Sequence, residues 1–131
     1  DVGLKRVGVA TGQSITGTAR ALSVVAHRAG APDWPALDRV VADYRPGAVV
    51  VGLPRHADGA EHAVTAAARR FAAQAGARWQ VPVHLVDEAL SSVAAERRLA
   101  VQGVRGRAVQ ARRDAEAAAV ILETWLGDAR P

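Results

Sequence analysis

Val81-Pro82-Val83-His84-Leu85-Val86-Asp87-Glu88 is the stretch whose reading decides the fold. Six mostly apolar residues, with Pro82 tolerated at the start, read as a strand buried on both faces, as in a parallel sheet. The run stops on two acids. Ala48-Val49-Val50-Val51 is a second run of the same kind. Between them, Val64, Ala67, Ala68, Phe71, Ala72 and Ala75 line one side of a helical pattern over Ala60 to Ala75. Strand, helix, strand is the signature of a parallel crossover.

Upstream the pattern changes. Val7 to Thr11 and Thr16 to Val25 read as strands, and Gly3, Gly8, Gly12 and Gly17 suit a hairpin or meander. Asp33-Trp34-Pro35 reads as a capped helix start, followed by Leu37, Val40, Val41 and Tyr44 on one face. Pro46-Gly47 is expected to stop that helix, and Gly52 to Gly59 to form a loop. Ser92 to Val101 is expected to be helical, and Gly103 to Arg107 to break the pattern as a mobile loop. A last helix is predicted from Arg112 to Leu126, with Ala117, Ala118, Ile121, Leu122 and Trp125 as its buried stripe and Gly127 as its end. The order predicts one α/β domain over residues 1–131, with a mixed sheet that begins as an antiparallel meander and continues as parallel strands.

Composition narrows the function. With 131 residues the chain can bury a core as a single domain. No apolar run approaches the roughly 18 residues of a membrane span, so no membrane partner is expected. The absence of cysteine excludes disulfides and thiolate metal sites and is compatible with the cytoplasm. The net charge is +4, and from Arg97 to Arg113 there are six arginines and no acid. That block suits a polyanion or a solvated basic face.

Three acids stand at structural junctions: Asp1, the pair Asp87-Glu88, and Asp114 on the apolar side of the last helix. Singly, such acids begin turns or suit a helix dipole. Together, acids at strand ends and on an inward helix face suggest a divalent cation bound by hard oxygens. Sites in such sheets lie beyond the carboxyl ends of parallel strands, where Asp87 and Glu88 fall. The sequence opens on Asp with no Met before it. A strand of about 5–6 residues is expected upstream, because an acid at the end of a central strand needs that strand.

Four blocks resemble the YqgF/RuvX family of ribonuclease H-like nucleases. They are Asp1-x-Gly3-x-Lys5-Arg6-x-Gly8-x-Ala10; Val50-Val51-Gly52-Leu53-Pro54 with Asp58-Gly59; Val86-Asp87-Glu88-Ala89-Leu90-Ser91; and Asp114-x-x-Ala117-Ala118-x-x-Ile121-Leu122. The similarity runs from Asp1 to about Leu126. The chain departs from the family at Ala89, where Arg is usual, at His56, where Asn is usual, and at His62, where Gly is common. These changes touch substrate handling more than the acids.

The resemblance implies a ribonuclease H-like, mixed five-stranded sheet flanked by helices. It also implies metal-assisted phosphodiester hydrolysis with Mg²⁺ or Mn²⁺, two ions roughly 4 Å apart clamping the attacking water and leaving oxygen. Asp1 and Asp114 would be ligands; the third is Glu88 or Asp87. Both cannot face one site, since side chains alternate along a strand. In the family's fold this strand is not the immediate neighbour of the first, and the longer Glu88 is favoured to reach, with Asp87 in support. Lys5, Arg6, Arg105, Arg107 and Arg112 are the candidate nucleic-acid contacts. The implied substrate is the 5′ end of the small-subunit (16S) ribosomal RNA precursor, or branched DNA at a Holliday junction; a homodimer is allowed. A nucleic-acid-binding module with a weak or inactive site is the second class. An actin-like kinase fragment, which shares Asp-x-Gly, needs a second domain that this length does not hold. Trp34 and Trp79 are left between base stacking and packing, and Trp125 is assigned to the core.

Overall fold

The chain opens on a tight reversal. The Gly3 amide donates to the Arg6 carbonyl at 2.9 Å, and Val2 faces Val7 across an antiparallel bridge. Asp1 and Gly8 exchange both backbone bonds: the Asp1 nitrogen donates to the Gly8 carbonyl at 2.9 Å, and the Gly8 amide donates to the Asp1 carbonyl at 2.8 Å. The structure is a computed structural model that describes residues 1–54, 63–87 and 107–129. Strand β1 (Arg6–Gln13) continues from this reversal and pairs antiparallel with β2 (Thr18–Ala26). The register slips between Val9 and Ala10, which pair with Ser23 and Ala21, leaving Leu22 as the extra residue of a bulge.

Helix α1 (Trp34–Tyr44) starts as the sequence predicts. Asp33 accepts a hydrogen bond from the Ala36 amide at 3.2 Å, and Pro35 sits in the first turn. It ends on Arg45 rather than on Pro46-Gly47. Arg45 turns left-handed at φ 45°, and its amide donates to the Val41 carbonyl. Strands β3 (Val49–Leu53) and β4 (Val83–Asp87) pair in parallel across α2 (Ala63–Trp79), in the register Val49 to Val83 through Leu53 to Asp87. The buried Thr65 hydroxyl on α2 donates to the Pro54 carbonyl at 3.3 Å and fixes that crossover.

The last helix, α3 (Arg107–Ala129), corrects two expectations. It begins at Arg107, so that residue is helical and not in a loop. It also runs through Gly127, which therefore does not end it. A single glycine costs a helix only about 1 kcal/mol, and Ile121 and Leu126 around it are buried. The predicted helix over Ser92 to Val101 and the predicted break from Gly103 to Gly106 lie outside the described residues.

The layers follow from strand alternation. On β1, Val7 and Val9 face α1 and α2; with Val2, Leu37, Val51, Leu53, Phe71 and Ala75 they form the core on that side. Gly8 and Gly12 face α3. A methyl group on Gly12 would meet Leu122 and Leu126, and one on Gly8 would fall on the Asp114 backbone. The α/β class is as expected. The single five-stranded sheet is not: the described strands form two separate two-stranded ladders, β1–β2 and β3–β4. The physical reason is that β1 and β3 border a cavity instead of each other, so no described strand hydrogen-bonds one ladder to the other. A cavity of about 400 Å³ lies between the ladders, bordered by Val9 to Gly12 and Val49 to Val51.

Candidate active site

Gly8 organises the acidic corner. A Cβ built on it would fall on the carbonyl group of Asp114, so β1 and α3 meet here backbone to backbone. Only a residue without a side chain permits this approach. Asp1 is the ladder partner of Gly8. Paired residues on neighbouring strands project to the same face, their Cβ positions about 5 Å apart. The Asp1 side chain is therefore directed to the α3 face. One glycine sets the Asp114 backbone against the ladder partner of Asp1, a residue 113 positions away in sequence.

Asp114 is the eighth residue of α3, two turns from its start. The explanation that an acid merely suits the first turn of a helix therefore does not apply. Its side chain keeps 24% of its exposure, and the Nε of Arg6 donates to its Oδ2 at 2.5 Å. Arg6 is itself 46% exposed. The guanidinium stands where a cation would meet this carboxylate, and the donor set of carboxylate oxygens is the type that Mg²⁺ and Mn²⁺ prefer. In chemistry the corner fits such an ion. Among the described residues no group of three His, Cys, Asp or Glu stands ready to hold one. Glu88 lies outside them.

Asp87 is the last residue of β4 and pairs with Leu53. Leu53 belongs to the core on the α1–α2 side. Asp87 therefore projects away from the face that Asp1 and Asp114 share. On the opposite parity, His84 meets the Trp125 ring of α3 at 5.0 Å between centroids.

The basic candidates divide. Lys5 is exposed in the opening turn, and its carbonyl accepts from the His27 amide at 2.9 Å. Arg112 lies 3.5 Å from Glu116, one turn along α3. Arg107 opens that helix, and Arg105 is outside the described residues. Sequence reasoning missed Glu116, whose side chain is 3% exposed. Its signal was present: Ala115 and Ala117 to Ala119 leave the helix with no polar face there, and all are buried.

The tryptophans that could have been base platforms are engaged in packing. Trp34 stacks on Phe71 at 5.0 Å and meets Trp79 edge-on at 5.7 Å, and Arg78 lies over Trp34. Asp38 ties this group together. It accepts from Arg78 Nε at 2.8 Å, from Arg78 Nη2 at 2.6 Å and from the Trp79 indole at 2.7 Å. These bonds, the guanidinium first and the indole second, hold its carboxyl down to about 2 from an ordinary 3.8.

Comparison with known proteins bears directly on the corner, because the match includes both acids. The family model described as RuvX, Holliday junction resolvase, covers residues 1–128. The chain belongs to the RuvX family. A Legionella pneumophila protein (strain Philadelphia 1) named "Putative pre-16S rRNA nuclease" is 48% identical over 126 residues, covering 96% of this chain and 91% of the relative. Proteins of the same name from Hydrogenovibrio crunogenus and Yersinia pestis (strain Pestoides F) are each 43% identical. They cover 96% and 98% of this chain, and 89% and 91% of their own. Among solved structures, T. thermophilus RuvC in complex with Holliday junction substrate superposes with a TM-score of 0.55. At 22% identity, over 98% of this chain and 90% of that one, the likeness is one of fold.

Proposed function

We propose that this RuvX-family chain is a metal-dependent nuclease that hydrolyses phosphodiester bonds at the 5′ end of pre-16S ribosomal RNA. The observation that supports the reading is the close approach at Gly8, the backbone partner of Asp1, to the backbone of Asp114 on α3. The names of the relatives supply the substrate. Asp1, Asp114 and Glu88 would hold Mg²⁺ or Mn²⁺. When bound, the metal polarises the phosphoryl oxygen and lowers the pKa of the attacking water. The protein's own part is orientation. Backbone pairing with Gly8 fixes Asp1, and the body of α3 fixes Asp114.

Glu88 is the third ligand in this reading, with Asp87 in support. Asp87 shares the face of Leu53, away from α3, so the longer Glu88 is preferred to it as the ligand. Lys5, Arg6, Arg105, Arg107 and Arg112 bind the phosphate backbone, the arginines drawn largely from the acid-free Arg97–Arg113 block. The reading implies action in the cytoplasm, and no described helix is long and apolar enough to cross a membrane.

Cleavage of precursor rRNA fragments with Mn²⁺, with Mg²⁺ and with chelator tests this. The expected result is metal-dependent cutting that Glu88→Gln abolishes and Asp87→Asn only weakens. Equal activity in all three proteins refutes the assignment. A second reading, resolution of branched DNA, is favoured by the family description and by the RuvC fold. Preferential cutting of four-way DNA junctions would select it.

We also propose that the two ladders are parts of one mixed five-stranded sheet, joined across the cavity that β1 and β3 border. Slow amide exchange throughout Val9–Gly12 and Val49–Val51 is the expected outcome. Fast exchange there would leave the ladders as separate units.

A further inference from the structure

Arg6 is bound to the very carboxylate that the nuclease reading gives to a metal. It opens β1, next to the turn that carries Asp1, and reaches across to Oδ2 of Asp114 on α3. Arg6 is 46% exposed and Asp114 24%, so the guanidinium has an open path to solvent. An ion pair this accessible is weak and exchanges readily. A divalent ion on Asp114 and a guanidinium on the same carboxylate repel one another, and the closer they stand the stronger the repulsion. A phosphate is a better partner for a displaced guanidinium than water is.

We infer that Arg6 is a positioning residue that alternates between two anions: the Asp114 carboxylate when the site holds no metal, and a nucleic-acid phosphate when it does. This rests on the proposed metal-dependent nuclease and adds its regulation. Metal and substrate do not bind independently. Phosphate draws Arg6 off Asp114 and tightens the metal; metal expels Arg6 and tightens the phosphate. The coupling is reciprocal by thermodynamic necessity. In free protein Arg6 neutralises the Asp1–Asp114 corner and holds α3 against β1 at the close approach over Gly8. A site arranged this way loads metal poorly until substrate arrives.

The alternative is that Arg6 is a fixed staple between β1 and α3, present with or without metal. Two measurements on the full chain, neither using activity, separate them. In the first, Mn²⁺ affinity is measured by calorimetry for wild type, Arg6→Gln and Asp114→Asn. Exchange predicts that Arg6→Gln binds Mn²⁺ about two- to five-fold more tightly, the range set by an exposed ion pair, while Asp114→Asn loses binding. A staple predicts that Arg6→Gln binds equally or more weakly, and that result overturns the proposal.

In the second, affinity for single-stranded RNA is measured in chelator, where no cutting occurs, for wild type, both single variants and the double variant. Exchange predicts that Asp114→Asn binds RNA more tightly and that most of the gain disappears when Arg6→Gln is present. Loss of carboxylate repulsion alone would give the same gain in both backgrounds, and equal gains overturn the proposal. The outcomes also separate it from the reading beneath it. Unchanged Mn²⁺ binding in Asp114→Asn removes the metal site and the exchange with it. Lost binding in Asp114→Asn beside an unchanged Arg6→Gln removes the exchange alone. Thermal melts of each variant confirm that the fold is intact.

Discussion

Two aspartate–arginine pairs stand in different parts of the molecule, and they are built differently. Asp38 is bound by Arg78 through both Nε and Nη2 and by the Trp79 indole. Through that indole it is tied to the ring cluster of Trp34, Phe71 and Trp79. Asp114 takes a single guanidinium bond, from Arg6, among the described residues. The first carboxylate accepts three donors in a fixed fork geometry and locks α1 to α2. The second has accepting capacity left over on the face to which Asp1 also projects. A saturated ion pair is scaffold, whereas a half-used one next to a like charge is a place where a ligand gains binding energy. Exposure does not separate the two pairs; the number and rigidity of the donors does.

Four changes break or sharpen that contrast. The largest effect is expected at Asp114. Asp114→Asn keeps the shape and removes the charge, and cleavage should fall by more than the roughly 10–100-fold typical of removing a ligand's supporting partner. The fold should survive, since Asp114 is partly exposed. Cutting rates of precursor rRNA together with a melting curve check both halves, and full activity would remove Asp114 from the site.

Next comes Gly8→Ala. The added methyl would fall on the Asp114 carbonyl, against backbone that cannot rotate away. It must push α3 off β1, at about 1–3 kcal/mol of stability or more, and it should separate Asp1 from Asp114. A urea titration measures the first effect and Mn²⁺ affinity the second. A stable Gly8→Ala protein with normal metal affinity would show that the close approach is not what joins the acids.

The scaffold pair carries the pH prediction. Asp38 is held down to about 2 from an ordinary 3.8 by the bonds from Arg78 and then Trp79. A carboxyl with a lowered folded pKa contributes its stabilisation fully above the unfolded value and loses it as pH falls through the folded one. The difference in urea midpoint between wild type and Asp38→Asn should thus be constant above pH 3.8 and shrink toward pH 2. Cleavage at neutral pH should be unchanged in Asp38→Asn. A stability difference that grows on acidification would reverse the assigned sign.

The smallest effect concerns the basic block. Arg105→Ala with Arg107→Ala should weaken nucleic-acid binding similarly across sequences and lower its salt slope by roughly one for each phosphate no longer neutralised. Mn²⁺ affinity should hold, because arginine supplies no oxygen ligand. An untouched salt slope would make the block a solvated face. Arg107 opens α3, so binding there would use a helix end rather than the loop that its glycine neighbours suggest.

Local signals were legible in the sequence wherever neighbours along the chain decide. The Asp33 cap, the face of α1, and the parallel runs at Val49 and Val83 are set by spacing and side-chain type, and the structure has them. The three acids were legible as candidates because their positions are costly without a partner. What chain neighbours do not decide was misread or left open. Gly127 sits inside α3, because packing of that helix on β1 and β2 outweighs one glycine. Trp34 and Trp79 face one another because α1 and α2 lie side by side, which no local pattern records.

By itself, then, the sequence determined the α/β class and the order of the described elements, and it marked the acids as candidates, since each depends on periodicity or on the cost of placing a charge. The tertiary structure alone decided which faces they take. Asp1 shares the face of Gly8 because a ladder pair projects to one side, and Gly8 lets the Asp114 backbone touch the strand there. Asp87 turns away because it pairs with Leu53 on the other face. Proximity between residues more than a hundred positions apart is a property of register and packing, and both are fixed only when the chain closes on itself.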